Sequence, residues 1–155
     1  MTLTFLALSE NEALARVAVT GFIAQLDPTI DELSEFKTVV SEAVSNAIIH
    51  GYEEDGKGIV TVHAKREDDI VTVSVMDKGI GIEDVSRAME PLFTTKGMME
   101  RSGMGFTIMD SFSDQLTVIS KWQEGTTVTF TKKFYTVRTA VMRGYHREAV
   151  RTVVR

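Results

Sequence analysis

The sequence predicts an α/β fold: a two-layer sandwich in which helices cover one face of a mixed, mostly antiparallel sheet. Two helical segments come early in the chain, and two hairpins with a period of two residues come later. This order differs from the strand–helix alternation that gives a parallel doubly wound sheet. The length of 155 residues and the hydrophobic content of 43% fit one domain with its own core.

The first elements are a short strand at 3–8 and a helix that follows it. Ser9 and Glu12 have the spacing of a capping box, in which each side chain accepts a hydrogen bond from the other residue's backbone N–H. The helix is therefore predicted to begin there and to run to about Leu26. Its apolar face is predicted to contain Leu14, Val17, Ala18, Gly21 and Phe22.

A second helix is predicted between Pro28 and Gly51. Proline disfavours helical geometry in the residue before it, so Asp27 ends the first helix. Thr29 and Glu32 then form a second capping box. The apolar residues of this helix recur at helical spacing: Leu33, Phe36, Val40, Ala43, Val44, Ala47 and Ile48.

The two hairpins follow from alternation of apolar and polar residues. The first pairs 59–65 with 71–75 through a polar turn. The second pairs 116–122 with 126–134 and turns at Glu124-Gly125. Between the hairpins lies a stretch rich in glycine and methionine, and its last part is predicted to be helical up to about Phe112.

The charge pattern divides the chain into a body, 1–135, and a basic C-terminal extension, 136–155. The net charge is −5, but the extension holds five arginines and one glutamate, so it carries +4 and the body −9. An acidic body argues against direct binding of nucleic acid or of a membrane surface. The chain has no cysteine and no apolar run near the ~18 residues of a membrane span. We therefore expect a cytoplasmic protein.

The extension has two interpretations. Its arginines recur every four residues, at Arg143, Arg147, Arg151 and Arg155, so a helix there would carry a basic stripe. Such a stripe suits contact with an acidic surface, whereas a solvated extension needs no partner.

The segment 51–58 (GYEEDGKG) imitates a phosphate-binding loop. It lacks the Ser or Thr that follows lysine in the Walker pattern, and three acidic residues lie where backbone amides would face phosphate. It also follows a helix and precedes a strand, which reverses the required order. We interpret it as a polar turn.

Three other segments together predict an ATP site. Glu42, Asn46 and His50 are spaced four residues apart on the second helix and therefore line one stripe. The segment 77–81 (DKGIG) follows a strand, and 101–106 (RSGMGF) opens a helix. Each segment alone is more often structural, and His50 alone suits the dipole at a helix C-terminus. Their order and spacing favour function.

The two glycine segments suit the base and the phosphates of a nucleotide. A buried carboxylate such as Asp77 needs a donor, which the exocyclic amine of adenine provides. Gly79 and Gly81 leave room for the base or allow the turn. Gly103 and Gly105 bring backbone N–H groups to phosphate at a helix N-terminus.

The stripe on the second helix suits phosphoryl transfer. The amide oxygen of Asn46 is a hard ligand of the kind that Mg²⁺ prefers. Glu42, one turn away, can accept a proton from an attacking hydroxyl or water.

These strings resemble the sequence boxes of the GHKL ATPase and kinase superfamily. EAVSNAIIHGY (42–52), DKGIGI (77–82), PLFTTK (91–96) and RSGMGF (101–106) are similar to its N, G1, lid and G2 boxes, in that order. Over residues 3–134 the chain resembles the anti-sigma F (stage II sporulation protein AB) family of endospore-forming bacteria. Ser45 replaces a frequent Thr but keeps the hydroxyl, and the extension does not resemble the family.

The resemblance implies a Bergerat-type ATP-binding fold with a mobile lid, and a role for each site residue. Glu42 would be the catalytic base and Asn46 the Mg²⁺ ligand. Asp77 would contact adenine above the turn at Gly79 and Gly81, and Thr126 would support that pocket. Arg16 would bind a partner. The phosphates of ATP would contact Arg101, Ser102, Gly103, Met104 and Gly105.

The resemblance also implies an ATP-dependent serine/threonine protein kinase that is an anti-sigma factor. As a homodimer it would sequester sigma factor F, and it would phosphorylate a serine of an anti-anti-sigma protein of the stage II sporulation protein AA type. Two alternatives remain. One is a nucleotide-gated binding module with little turnover, which the glycine and methionine content of 89–109 favours. The other is the catalytic half of a histidine kinase, but no segment is left for its acceptor-histidine hairpin.

Overall fold

The computed structural model describes residues 1–90 and 104–135. The predicted lid at 91–96, the phosphate residues Arg101, Ser102 and Gly103, and the extension at 136–155 lie outside the described residues. The helices are α1 (Glu10–Ile23), α2 (Ile30–Asn46), α3 (Val85–Ala88) and α4 (Gly105–Phe112). The strands are β1 (Thr2–Leu6), β2 (Ile59–Glu67), β3 (Ile70–Met76), β4 (Gln115–Lys121) and β5 (Gly125–Lys133).

The five strands form one sheet in the order β1-β2-β3-β5-β4. The sequence predicts a mixed, mostly antiparallel sheet. In the structure, every pairing between the described strands is antiparallel. Both predicted hairpins are present, and the inward residues of β2 and β3, such as Val60 and Val73, are fully buried. The two-layer sandwich is confirmed. None of the described helices is both long and apolar enough to cross a membrane.

The core holds α2 against the middle of the sheet. Phe36 on α2 packs edge-to-face against Phe130 of β5 at 5.7 Å between ring centroids, and against Phe134 at 5.4 Å. The residues that follow on the same face, Val40 and Val44, are also fully buried. This packing fixes the C-terminal half of α2 over β3 and β5, where the cavity described below lies.

One of the two predicted capping boxes forms. The Thr29 hydroxyl accepts from the Glu32 N–H at 3.2 Å, and the Glu32 carboxylate accepts from the Thr29 N–H at 2.9 Å. The box at Ser9 was wrong, because Ser9 has helical angles (φ −56°, ψ −33°) and makes no side-chain cap. A capping residue needs extended geometry to turn its oxygen toward the third helical N–H. The Ser9 hydroxyl donates instead to Glu54 at 3.2 Å.

The predicted apolar face of α1 was wrong at Leu14 and Val17, although Phe22 packs against the core as predicted. Leu14 and Val17 are 52% and 68% exposed, whereas Ala15, Val19 and Ile23 are fully buried. The helix carries two apolar stripes, and helical spacing alone does not decide which one packs on α2 and the sheet. The predicted end is confirmed, since a 3₁₀ turn at Ala24–Leu26 follows α1 and Asp27 then takes a left-handed φ of 50°.

Candidate functional site

A cavity of about 580 Å³ lies between the C-terminal half of α2, the loop after β3 and the N-terminus of α4. Its volume is typical of a small-molecule site. It brings together most of the predicted site residues that the structure describes: Glu42, Asn46, His50, Asp77, Gly81, Met104, Gly105 and Thr126.

The stripe predicted on the second helix is confirmed, but the helix changes its winding there. α2 ends at Asn46 and continues as a single π-helical turn, Ala47–Gly51. Such turns are rare and occur frequently at functional sites. The Gly51 carbonyl accepts from the Ile80 N–H at 2.9 Å. This bond ties the end of the helix to the loop after β3.

Asp77 is a buried carboxylate in the wall of the cavity, 8% exposed. Its Oδ1 accepts from the N–H groups of Gly79 at 2.9 Å and Thr126 at 3.3 Å. Burial raises the pKa of Asp77 above its usual range, and these two hydrogen bonds only partly oppose the shift. Because its other oxygen makes no hydrogen bond within the described residues, it is available to a donor in the cavity.

The two glycines after Asp77, Gly79 and Gly81, are required for different structural reasons. Gly79 does not line the cavity, and a methyl group added to it would lie 1.9 Å from the Gly51 carbonyl oxygen. Its absent side chain therefore makes room for the backbone of the π turn and not for a ligand. Gly81 lines the cavity and has a φ of +70°, which only glycine adopts readily.

Thr126 connects the hairpin of β4 and β5 to the loop that carries Asp77 through hydrogen bonds. Its N–H also donates to the Asp77 carbonyl at 3.2 Å, and the Asp77 N–H donates back at 2.9 Å. The Thr126 hydroxyl lies 2.8 Å from that of Ser120, which in turn accepts from the Ile82 N–H at 2.8 Å. Thr126 therefore orients the carboxylate.

Glu42 and Asn46 face the first turn of α4. A methyl group at Gly105 would lie 3.0 Å from Glu42 Oε2 and 3.5 Å from Asn46 Nδ2. The predicted catalytic base, the predicted Mg²⁺ ligand and the N-terminus of an eight-residue helix therefore meet at one end of the cavity. Helix N-termini favour anions, so the predicted phosphate-binding feature lies beside the predicted base.

The donor set at this end fits Mg²⁺ bound with a nucleotide. Within 1–90 and 104–135 no group of three His, Asp or Glu side chains is placed to hold a metal alone. Mg²⁺ usually takes one or two protein oxygens and completes its shell with water and substrate phosphates. The single amide oxygen of Asn46 beside the N-terminus of α4 matches that pattern.

Three residues at the site were assigned no role from the sequence, although Tyr52 ends the string 42–52. The Tyr52 hydroxyl accepts from the Lys78 N–H and donates to the Ile59 carbonyl, both at 2.8 Å, so it braces the Asp77 loop. Arg87 and the single tryptophan, Trp122, line the cavity, and both come from segments that carry no motif. A tyrosine after the π turn has no periodic pattern that would reveal this role.

Arg16 lies away from the cavity, on a separate groove between α1 and α2. Its guanidinium is 3.4 Å from the Glu12 carboxylate, one turn earlier on α1. The groove also contains Lys37, Thr38, Ser41 and Glu42.

The predicted turn at 51–58 is confirmed, with Asp55 accepting from two backbone N–H groups.

Comparison with known proteins gives consistent matches. The family model of the histidine kinase-like ATPase domain matches residues 5–132. The anti-sigma F factor of Lysinibacillus sphaericus is 94% identical over 142 residues, 92% of this chain and 97% of that protein. The anti-sigma F factor of Clostridium beijerinckii is 55% identical and that of Bacillus subtilis 58%, over 88% and 85% of this chain and 96% and 90% of theirs.

Two solved structures share the fold. A crystal structure of the RsbU and RsbW domains of Rv1364c from Mycobacterium tuberculosis superposes with a TM-score of 0.59 at 18% identity, over 86% of this chain and 31% of that chain. Full-length ShkA in complex with AMPPNP gives 0.56 at 23% identity, over 81% and 30%. At these identities the likeness concerns the fold alone.

Proposed function

Because the chain belongs to the histidine kinase-like ATPase family and, within it, to the anti-sigma F factors, we propose that it is a cytoplasmic, ATP-dependent serine protein kinase that also sequesters a sigma factor. One observation carries the kinase proposal: Asp77 at one end of a single cavity, and Glu42, Asn46 and the α4 N-terminus at the other. The proposed partners are sigma factor F, an anti-anti-sigma protein of the stage II sporulation protein AA type, and a second copy of the chain.

Asp77 supports adenine recognition. Its available oxygen would accept a hydrogen bond from the exocyclic amine, and such a bond to a charged group contributes about 1.5 to 3 kcal/mol. The hydrogen bonds from Gly79 and Thr126 keep the carboxylate in place before the nucleotide arrives. Little reorganisation is then needed on binding.

The other end supports phosphate binding. The backbone N–H groups at Met104 and Gly105 begin α4, and we propose Arg101, Ser102 and Gly103 as further phosphate contacts. Asn46 would hold Mg²⁺, which when bound neutralises charge on the phosphates. Since the body carries −9, we expect tight binding of ATP to depend on that ion.

Glu42 supports transfer to a hydroxyl. The serine oxygen of the acceptor forms a bond to the γ-phosphorus, the bond from that phosphorus to the β–γ bridging oxygen breaks, and ADP leaves. Glu42 accepts the proton that the serine loses. We propose that Arg16 contacts the partners, since it lies on the surface beside this base.

The test is phosphorylation of the anti-anti-sigma protein with Mg-[γ-³²P]ATP, followed by acid treatment. We expect an acid-stable label on serine. An acid-labile label would favour histidine phosphorylation and contradict the proposal. Nucleotide-dependent partner binding with no label at all would favour the gated binding module instead.

A further inference from the structure

We propose that Lys132 is a positioning residue for phosphate binding. By holding the C-terminus of α4, it keeps the N-terminus of the same helix against Glu42 and Asn46. The inference rests on the proposed function, in which that N-terminus binds the phosphates of the nucleotide. Lys132 itself lies on β5, does not line the nucleotide cavity and belongs to none of the sequence motifs.

Lys132 is a charged residue in the core-facing row of the sheet. Val128 and Phe130, which precede it at alternate positions of β5, are 4% and 1% exposed, and Phe134 after it is fully buried. The side chain of Lys132 is only 14% exposed. An apolar side chain would fill this position without removing an ammonium group from water. A lysine here therefore points to a specific interaction that an apolar residue does not make.

The ammonium group of Lys132 connects two helices. It donates to Glu35 Oε2 on α2 at 2.7 Å and to the Phe112 carbonyl of α4 at 2.9 Å. Phe112 is the last residue of α4, so its carbonyl is one of those that lack a partner within the helix. A cation at this end also interacts favourably with the helix dipole. Lys132 therefore fixes the C-terminus of α4 to α2 and to the sheet.

Helix α4 is short, so a contact at its C-terminus affects its N-terminus. Its eight residues span about 12 Å. Met109 in the middle is fully buried and anchors the helix to the core. Loss of the bond at Phe112 should therefore tilt α4 about Met109 and displace Gly105. A methyl group at Gly105 would already lie 3.0 Å from Glu42 Oε2, so the spacing at that end is close.

The alternative is that Lys132 contributes to stability alone. Removal of one partner of a largely buried ion pair destabilises a protein, whereas replacement of both partners by neutral residues is often nearly neutral. The double variant Glu35→Gln/Lys132→Met therefore separates the two roles. It should unfold in urea close to the wild type, yet it lacks the bond that orients α4.

Titration of the full-length chain with Mg-ADP and with adenosine, followed by Trp122 fluorescence, tests the positioning role. We expect Lys132→Met to weaken ADP binding about 2- to 30-fold. Adenosine has no phosphate to meet α4, so its affinity should stay close to that of the wild type. Lys132→Arg keeps a cation that can donate to the same carbonyl and should retain most of the ADP affinity.

Lys133→Met is the matched control. Lys133 also pairs with a carboxylate, that of Asp69 at 3.5 Å, but its side chain is 44% exposed and Asp69 lies in the β2–β3 turn, not on α4. We expect Lys133→Met to bind both ligands like the wild type.

The double variant should bind ADP as weakly as Lys132→Met, and it carries the comparison alone if the single variant does not fold. An equal loss for ADP and adenosine would overturn the positioning role. Wild-type ADP affinity in the Lys132→Met variants, or the same selective loss in Lys133→Met, would overturn it too. If the wild-type chain bound adenosine as tightly as ADP, the proposed phosphate end would itself be contradicted, and this role with it.

Discussion

The two ends of the nucleotide cavity are built in different ways. At the Asp77 end, backbone N–H groups from two parts of the chain, the loop after β3 and the start of β5, hold one carboxylate, and the Gly51 carbonyl of the π turn accepts from the same loop. At the Glu42 end, side chains of a single helix face the first turn of α4. Under the proposed function, this difference means that the fold itself fixes the group that recognises the base, whereas the other end presents charge and amides to a phosphate ligand that brings its own metal. Changes at the two ends should therefore have separable effects.

The largest loss of nucleotide affinity is expected from Asp77→Asn. The charged acceptor is replaced by a neutral amide, so ADP should bind about 10- to 100-fold more weakly, equivalent to about 1.5 to 3 kcal/mol. Quenching of Trp122 fluorescence on titration with ADP measures it. GDP, whose exocyclic group at the matching position is a carbonyl, is the control ligand. An equal loss for both nucleotides would mean that Asp77 does not read adenine.

Gly79→Ala is expected to lower the free energy of unfolding by an amount similar to the binding energy that Asp77→Asn loses. The added methyl group meets the Gly51 carbonyl oxygen, so the loop or the π turn must shift, at a cost of about 1 to 3 kcal/mol. Urea unfolding of the free protein measures it. Gly21→Ala is the control, because a methyl group there meets no atom and alanine favours a helix. Equal stability of Gly79→Ala and the wild type would contradict the close approach.

A smaller effect is expected from Tyr52→Phe. The substitution leaves the Lys78 N–H and the Ile59 carbonyl without their partner, which costs about 1 kcal/mol each at most because both groups are near solvent. Urea unfolding and ADP titration should both show a modest loss. Loss of phosphoryl transfer at saturating ATP with normal ADP affinity would contradict the assignment of Tyr52 to the Asp77 end.

The smallest effect is a pH dependence. In the proposed function the ionised Asp77 accepts the adenine hydrogen bond, so ADP affinity should fall as pH decreases through the raised pKa of this group, at a higher pH than for an ordinary aspartate. Without ligand the sign is opposite. Ionisation of the buried group opposes folding above the raised pKa, and this cost disappears as pH falls toward the usual aspartate value. Asp77→Asn should remove both dependences; their persistence would assign them to another group.

Sequence reasoning predicted the parts that depend on local pattern. The Thr29 capping box, both hairpins and the stripe of Glu42, Asn46 and His50 follow from fixed spacings, and the structure has them. Ser9 and Glu12 have the same spacing as Thr29 and Glu32, yet the Ser9 hydroxyl donates its hydrogen bond to Glu54, which lies in another segment of the chain. That outcome depends on tertiary contacts, which spacing does not contain.

The remaining differences have the same origin. Either apolar stripe of α1 could face the core, and the packing of α2 on the sheet selected the one with Ala15 and Val19. The role of Gly79 depends on the Gly51 carbonyl, which approaches through a π turn that no local signal predicts. The division at residue 135 and the roles of Arg101, Ser102 and Gly103 stay predictions.

The central claim is that Glu42 is the base for transfer to a serine and belongs to the catalytic end alone. The direct measurement is single-turnover transfer from saturating Mg-ATP to the acceptor protein by Glu42→Gln, with Glu67→Gln, an exposed residue near the β2–β3 turn, as the control. We predict that the transfer rate of Glu42→Gln falls about 10²- to 10⁴-fold while its ADP affinity matches the wild type. An unchanged transfer rate would contradict the claim.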